Sequence, residues 1–84
     1  MKQFKVSIPT VQNVKDFVQY CNALPFAVDV TSDTYSVDGK SLMGIFSLNL
    51  SEAVTVICKT DGTDAKDKEA LSTFERNIKP FIEQ

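Results

Sequence analysis

Residues 40–48 read Lys-Ser-Leu-Met-Gly-Ile-Phe-Ser-Leu, a segment that is unusually apolar for its length. Ser41 is a competent helix N-cap, because its hydroxyl can accept a hydrogen bond from an amide of the first turn. Gly44 weakens any helix predicted from propensity alone. Three large apolar side chains fall partly on one side of this helix, at Leu42, Met43 and Phe46. Such a stripe is either core or a docking patch, and the spacing alone favours core.

The pattern at the N-terminus predicts a strand followed by a helix. Apolar and polar residues alternate over about residues 2–8, which is typical of a strand with one buried face. Thr10 then serves as the N-cap of a helix over about residues 10–22. The apolar side chains of this helix have helical spacing and comprise Val11, Val14, Phe17, Val18 and Cys21.

A β-hairpin is predicted between this helix and Ser41. Strand two is predicted over residues 26–31, where Phe26, Val28 and Val30 alternate with the residues between them, and the polar residues 31–34 form the predicted turn. The alternation continues from Tyr35 into a third strand that ends near Asp38. The hairpin therefore leads directly into the helix capped by Ser41.

The pattern downstream predicts one more strand and a last helix. Alternation over residues 54–58 indicates strand four, and a turn follows at Asp61. Asp64 is the expected N-cap of the last helix. Its predicted buried stripe comprises Ala70, Leu71, Phe74, Ile78, Phe81 and Ile82.

The predicted order is therefore βαββαβα, an α+β fold in which helices cover one face of a four-stranded sheet. The other face is expected to be wet, because polar residues alternate with the apolar ones at Lys5, Ser7, Asp29, Thr55 and Lys59. A chain of 84 residues is long enough for one modest core and too short for two. We expect residues 1–84 to form a single domain.

Composition argues against several classes of partner. The net charge is −2 and the only arginine is Arg76, so no cationic surface for nucleic acid or anionic lipid is implied. No apolar segment is long enough for a signal peptide or a membrane span, and we expect a soluble, cytoplasmic protein. Cys21 and Cys58 lie in apolar periodic segments, which favours two buried thiols over a disulfide or redox pair. No metal site is expected.

Enzymatic chemistry is not indicated. The chain contains no histidine, the usual general base. The acidic residues gather around the start of the last helix, where capping explains them better than acid–base catalysis, at Asp61, Asp64, Asp67 and Glu69. The glycines are isolated and form no phosphate-binding loop. We predict that the protein is not an enzyme and needs no cofactor.

The stretch from Lys40 to Leu48, within the βαββαβα order, resembles the histidine-containing phosphocarrier (HPr) family of the bacterial sugar phosphotransferase system. The motif is similar to that of the Gram-positive members. This resemblance implies an HPr-like open-faced β-sandwich with three helices over an antiparallel sheet in the order 1-4-2-3. It also implies that Ser41 matches the serine that a dedicated kinase phosphorylates as a regulatory signal.

Counting back without gaps from the match at Ser41 implies that the family's carrier site is lost. Thr10 stands in the place of the family's phosphoacceptor histidine, Gln12 in that of its arginine and Asn13 in that of its proline. A phosphothreonine is a stable ester, whereas a carrier needs a reactive phosphoramidate. We therefore expect a protein unable to act as a histidine phosphocarrier, in which Thr10 is an ordinary helix cap.

Two functional hypotheses remain. In the family, the side chains matching Leu42, Met43 and Phe46 belong to the docking patch for phosphotransferase-system components such as enzyme I, for the HPr kinase and for a repressor-type transcription factor. The first hypothesis is a regulatory or adaptor protein of catabolite repression, switched at Ser41. The alternative is an interaction or scaffold module that binds independently of phosphorylation and has kept only the fold.

Overall fold

The computed structural model describes residues 1–33 and 35–83. Its elements follow the predicted βαββαβα order. They are β1 (Lys2–Val6), α1 (Val11–Asn22), β2 (Val28–Ser32), β3 (Tyr35–Asp38), α2 (Leu42–Phe46), β4 (Val54–Cys58) and α3 (Ala65–Ile78), followed by a 3₁₀ turn over Lys79–Phe81.

The four strands form one antiparallel sheet in the order β1-β4-β2-β3, as the family resemblance implies. In the middle of the sheet, Val56 of β4 lies opposite Phe4 of β1 and Val30 of β2. Val30 in turn lies opposite Val37 of β3. Because residues directly opposite each other share a face of the sheet, this register aligns a row of apolar side chains across all four strands.

The helices pack on this apolar face and enclose the core. The ring of Phe74 lies 6.2 Å from the rings of both Phe4 and Phe17, within the range of favourable aromatic pairs. Ile45 of α2 is fully buried. The other buried apolar residues are Val6, Ile8, Val14, Val18, Cys21, Leu24, Phe26, Val28, Val30, Leu48, Val54, Val56, Cys58 and Ile78.

The opposite face of the sheet carries the predicted polar residues of the strands, with the half-buried Ile57 as an apolar exception, whereas Ser7 lies beyond the end of β1. Lys5 and Lys59 are exposed, while Asp29 and Thr55 are half-buried. The Lys59 ammonium pairs with the Asp29 carboxylate at 2.9 Å. A surface pair of this kind contributes little stability, so the burial on the helical side holds the fold together.

The predicted end of the first strand is wrong. β1 ends at Val6 rather than near residue 8. The amide of Ser7 donates to the carbonyl of Phe81 at 2.7 Å, and Val6 bridges to Ile82. The chain after β1 therefore pairs with the C-terminal segment instead of continuing along β4.

The predicted hairpin turn begins too early. Thr31 and Ser32 belong to β2 and lie opposite Ser36 and Tyr35 of β3. Thr34, the last residue of the predicted turn, lies outside the described residues. Pairing with β3 extends the strand through residues whose polar side chains suggested a turn.

Burial along the helices follows the predicted stripes with two differences. In α1, Val14, Phe17, Val18 and Cys21 are buried, but Val11 is 59% exposed because the buried stripe begins one turn later, at Val14. Among the described residues of α3 and the segment after it, Phe74 and Ile78 are fully buried. The other predicted residues are partly buried against the core, namely Ala70, Leu71, Phe81 and Ile82.

Within residues 1–33 and 35–83, no helix has the length and apolar character needed to cross a membrane.

Candidate functional site

Ser41 is the N-cap of α2, as predicted. Its backbone is extended and its side-chain oxygen accepts a hydrogen bond of 3.1 Å from the amide of Gly44. Its carbonyl accepts the amide of Ile45 at 3.0 Å, and its own amide donates to the carbonyl of Asp38 at 3.0 Å. The side chain is half-buried. The hydroxyl is therefore held at the start of the helix but is not enclosed by the core.

The apolar side chains of α2 divide between core and surface. Ile45 is completely buried, whereas Met43 is 79% exposed, Leu42 38% and Phe46 39%. The stripe that spacing alone assigned to the core is thus mostly on the surface at the three positions of the implied docking patch. Exposed apolar side chains grouped in this way are candidates for a docking patch. We call Leu42, Met43 and Phe46 the α2 patch.

Thr10 is the N-cap of α1. Its side-chain oxygen accepts a hydrogen bond of 3.1 Å from the amide of Asn13. The side-chain amide of Gln12 donates to the Asp16 carboxylate at 2.9 Å. Both side chains thus serve the helix itself. Val11, beside them, is exposed. The sequence pattern had assigned it to the apolar stripe of the helix, because its spacing matches that of the buried residues.

The acidic residues near α3 stabilise local structure. Asp64 accepts a hydrogen bond of 2.8 Å from the amide of Lys66, and Asp67 accepts one of 2.7 Å from the Thr60 hydroxyl. The backbone amide and then the hydroxyl of Thr63 hold the pKa of Asp61 below its usual value. In the described part of the chain, no three His, Cys, Asp or Glu side chains are grouped as metal ligands.

Both cysteines are buried, free thiols. Burial raises the pKa of Cys58 from 9.0 to about 11. Burial raises the pKa of Cys21 further, and the neighbouring Cys58 adds to this effect. Since the thiolate is the reactive form, the raised pKa values disfavour a nucleophilic role for either side chain at neutral pH.

Fold and site together define a small open-faced β-sandwich protein that presents a short, serine-capped helix with exposed apolar side chains. The family model PTS-HPr, described as "PTS HPr component phosphorylation site", matches residues 11–79. The chain therefore belongs to the HPr family of the phosphotransferase system. Thr10 lies one residue before the matched span.

Solved structures of this family share the fold. HPr-C-His from Thermoanaerobacter tengcongensis is 26% identical, with a TM-score of 0.72, and the match covers 94% of this chain and 92% of that one. The catabolite repression protein Crh from Bacillus subtilis, described as a swapped, intertwined dimer, is 25% identical, with a TM-score of 0.62 and coverage of 94% and 88%. HPr from Bacillus anthracis is 22% identical, with a TM-score of 0.62 and coverage of 92% and 95%, a likeness in fold alone. Comparison with curated proteins gives no significant match.

Proposed function

We propose that this chain is a regulatory or adaptor protein of the phosphotransferase system, related to catabolite repression, that does not act as a histidine phosphocarrier. The observation that carries the proposal is that Ser41, a half-buried helix N-cap, lies beside the exposed α2 patch in a chain that has no histidine. The likeness to Crh, which is described as a catabolite repression protein, supports the proposed link to catabolite repression.

The chemistry at Thr10 argues against phosphoryl transfer. A carrier passes on a phosphoryl group from an imidazole nitrogen, and a threonine ester is too stable for that step. The Thr10 side-chain oxygen instead accepts the amide of Asn13 as a helix cap. Gln12, in the place of the family's arginine, pairs with Asp16 and carries no positive charge to offset a phosphate.

Phosphorylation of Ser41 is compatible with the fold. The hydroxyl is half-buried and lies at the N-terminal end of α2, where first-turn amides favour negative charge. A phosphate there adds nearly two negative charges beside the α2 patch while the core side chain Ile45 stays in place. The modification thus changes the surface and preserves the scaffold.

The α2 patch is the proposed contact for protein partners. Candidates are phosphotransferase-system components, the HPr kinase and a repressor-type transcription factor. Binding to any of these partners would require a cytoplasmic protein. Met43 offers the largest exposed fraction, and Leu42 and Phe46 flank it along the helix. On this proposal the chain needs no cofactor, metal, nucleic acid or membrane.

Two reactions test the proposal. Incubation with an HPr kinase and ATP, followed by mass spectrometry, should add one phosphate to the wild type and none to Ser41→Ala. Incubation with enzyme I and phosphoenolpyruvate should label an authentic HPr but not this chain. Equal modification of wild type and Ser41→Ala contradicts the regulatory role, and labelling by enzyme I contradicts the loss of carrier function.

The alternative function is a phosphorylation-independent interaction or scaffold module. It is favoured by the exposure of the α2 patch in the unmodified protein. Binding to purified partners distinguishes the two. The scaffold role predicts that Met43→Ala or Phe46→Asp abolishes binding while Ser41→Ala has no effect, whereas the regulatory role predicts that phosphorylation of Ser41 changes affinity.

A further inference from the structure

Lys40, the residue before Ser41, is held at three points. Its amide donates to the Asp38 carboxylate at 2.9 Å. Its carbonyl accepts the side-chain amide of Asn22 at 3.1 Å, and its ammonium donates to the carbonyl of Leu24 at 2.9 Å. Two of these three bonds join the segment before α2 to the C-terminal end of α1, which is 16 to 18 residues away in sequence.

Asn22 connects the two helices through one amide group. It is the last residue of α1, and its side-chain nitrogen donates both to the Val18 carbonyl of its own helix, at 2.9 Å, and to the Lys40 carbonyl. The two hydrogens of a carboxamide nitrogen satisfy two acceptors at once. The Lys40 ammonium binds just beyond the same helix end, where carbonyls lack helical partners and positive charge is favoured.

A helix of five residues is too short to be stable by itself, so α2 depends on tertiary contacts for its position. The Ser41 hydroxyl is oriented by its bond to the Gly44 amide, and that bond requires the chain to enter α2 at a defined angle. The entry is fixed on one side by the Asn22 and Lys40 contacts with α1.

We propose that Asn22 and Lys40 are positioning residues for Ser41. They clamp the entry of α2 onto the end of α1 and so fix the geometry of the serine cap. The Lys40 ammonium is bound to a backbone carbonyl of the α1 end, and its role is therefore to anchor this entry rather than to serve as a free cation for a kinase or a phosphate. The consequence for phosphorylation rests on the proposed function, whereas the geometric clamp does not.

Amide hydrogen exchange of the unphosphorylated full chain tests the clamp. Asn22→Asp keeps the shape of the side chain but removes its donor, Asn22→Ala removes the amide without adding charge, and Lys40→Met keeps the stem without the ammonium. Each should accelerate exchange of the Gly44 amide about tenfold relative to that of Val56 in the central strand, as expected for the loss of one hydrogen bond. Lys40→Arg should restore slow exchange, because the guanidinium also donates to a carbonyl.

The controls are Lys15→Met on the exposed side of α1 and Asn77→Asp on the exposed side of α3, which should leave Gly44 unchanged. If the Gly44 amide exchanges no faster relative to Val56 in any of the three variants, the clamp is refuted. Comparison with Val56 separates a local effect from general destabilisation.

The kinase reaction provides the second readout. Loss of positioning should lower kcat/KM for Ser41 phosphorylation about tenfold in Asn22→Ala and Lys40→Met, and Lys40→Arg should recover most of it. Failure of Lys40→Arg to recover would mean that the kinase reads the lysine directly and would overturn the anchoring role. If the wild type itself is not phosphorylated, the proposed function fails, while the exchange experiment still decides the clamp.

Discussion

Gly39 lies directly against Val28. Its amide donates to the Val28 carbonyl at 2.7 Å, and a methyl group added at Gly39 would lie 2.9 Å from Cγ1 of Val28, closer than real side chains approach. Val28 is only 1% exposed and cannot turn toward solvent. The close contact explains why a residue without a side chain occupies the corner between β3 and α2.

The contact between Gly39 and Val28 predicts that Gly39→Ala lowers the free energy of unfolding by about 1–3 kcal/mol, as overpacking of a core does. Urea unfolding measures the loss. In a Val28→Ala background the nearest clashing atom is absent, so the same substitution should cost less. An equal cost in both backgrounds would refute the steric explanation.

The buried and exposed faces of α2 predict a large and a small loss of unfolding free energy, respectively, when their side chains are truncated. Ile45→Ala removes a completely buried side chain and should cost about 2–5 kcal/mol of unfolding free energy. Met43→Ala, at a position that is 79% exposed, should change it by less than about 0.5 kcal/mol. Thermal or urea unfolding of the two variants makes the comparison, and a large loss in Met43→Ala would mean that this side chain belongs to the core.

The N-cap role of Ser41 predicts that Ser41→Ala measurably lowers the free energy of unfolding. Removal of the oxygen that accepts the Gly44 amide should cost about 0.5–2 kcal/mol of unfolding free energy, whereas Ser41→Asp keeps an acceptor and should cost less. Ser36→Ala, at an exposed site on β3, is the matched control and should be nearly neutral. Equal stability of Ser41→Ala and wild type would contradict the capping geometry.

The buried thiol of Cys58 predicts a loss of stability at alkaline pH. Burial raises its pKa from 9.0 to about 11, so the folded protein holds this proton more tightly than the unfolded chain. The contribution is fully present below about pH 9 and is lost as the pH rises toward about 11, with a slope of at most about 1.4 kcal/mol per pH unit.

Urea unfolding under reducing conditions, repeated across this pH range, tests the effect of the thiol. Cys58→Ala lacks the titrating group, so its stability should fall less steeply with pH than that of the wild type, even though its stability at neutral pH is lower. Parallel pH profiles for the variant and the wild type would show that the pKa of Cys58 is the same in the folded and unfolded states, which would contradict the prediction.

Much of the fold follows from local sequence patterns. Alternation and helical spacing predicted all the strands and helices in order, because period-2 and period-3.6 patterns arise from the geometry of a single element. The caps at Thr10, Ser41 and Asp64 were also predictable, since each forms a hydrogen bond within three residues of itself. The error at Ser7 arose where pairing with the distant C-terminal segment set the end of β1. The error at Ser32 arose where hairpin pairing with Tyr35 extended β2 through polar residues.

The candidate site was predictable only in part. The absence of histidine and the place of Ser41 at a helix start are visible in the sequence. The division of α2 into a buried Ile45 and an exposed Met43 is not, because a five-residue helix is too short for its spacing to define a face. The exposure of Val11 could not be predicted for a related reason. Val11 has the same helical spacing as the apolar stripe of α1, but only the residues of that stripe from Val14 onward are buried.

The order of amino acids alone thus establishes that histidine is absent, which elements form, and where the serine stands. Which α2 side chains face solvent and what the Lys40 ammonium binds are set by the packing of the elements in three dimensions. Burial and long-range hydrogen bonds depend on where packed elements meet, and local patterns do not specify these meeting points. The partners of Lys40, Asn22 and Leu24, are separated from it by a hairpin and a change of direction that local patterns do not encode.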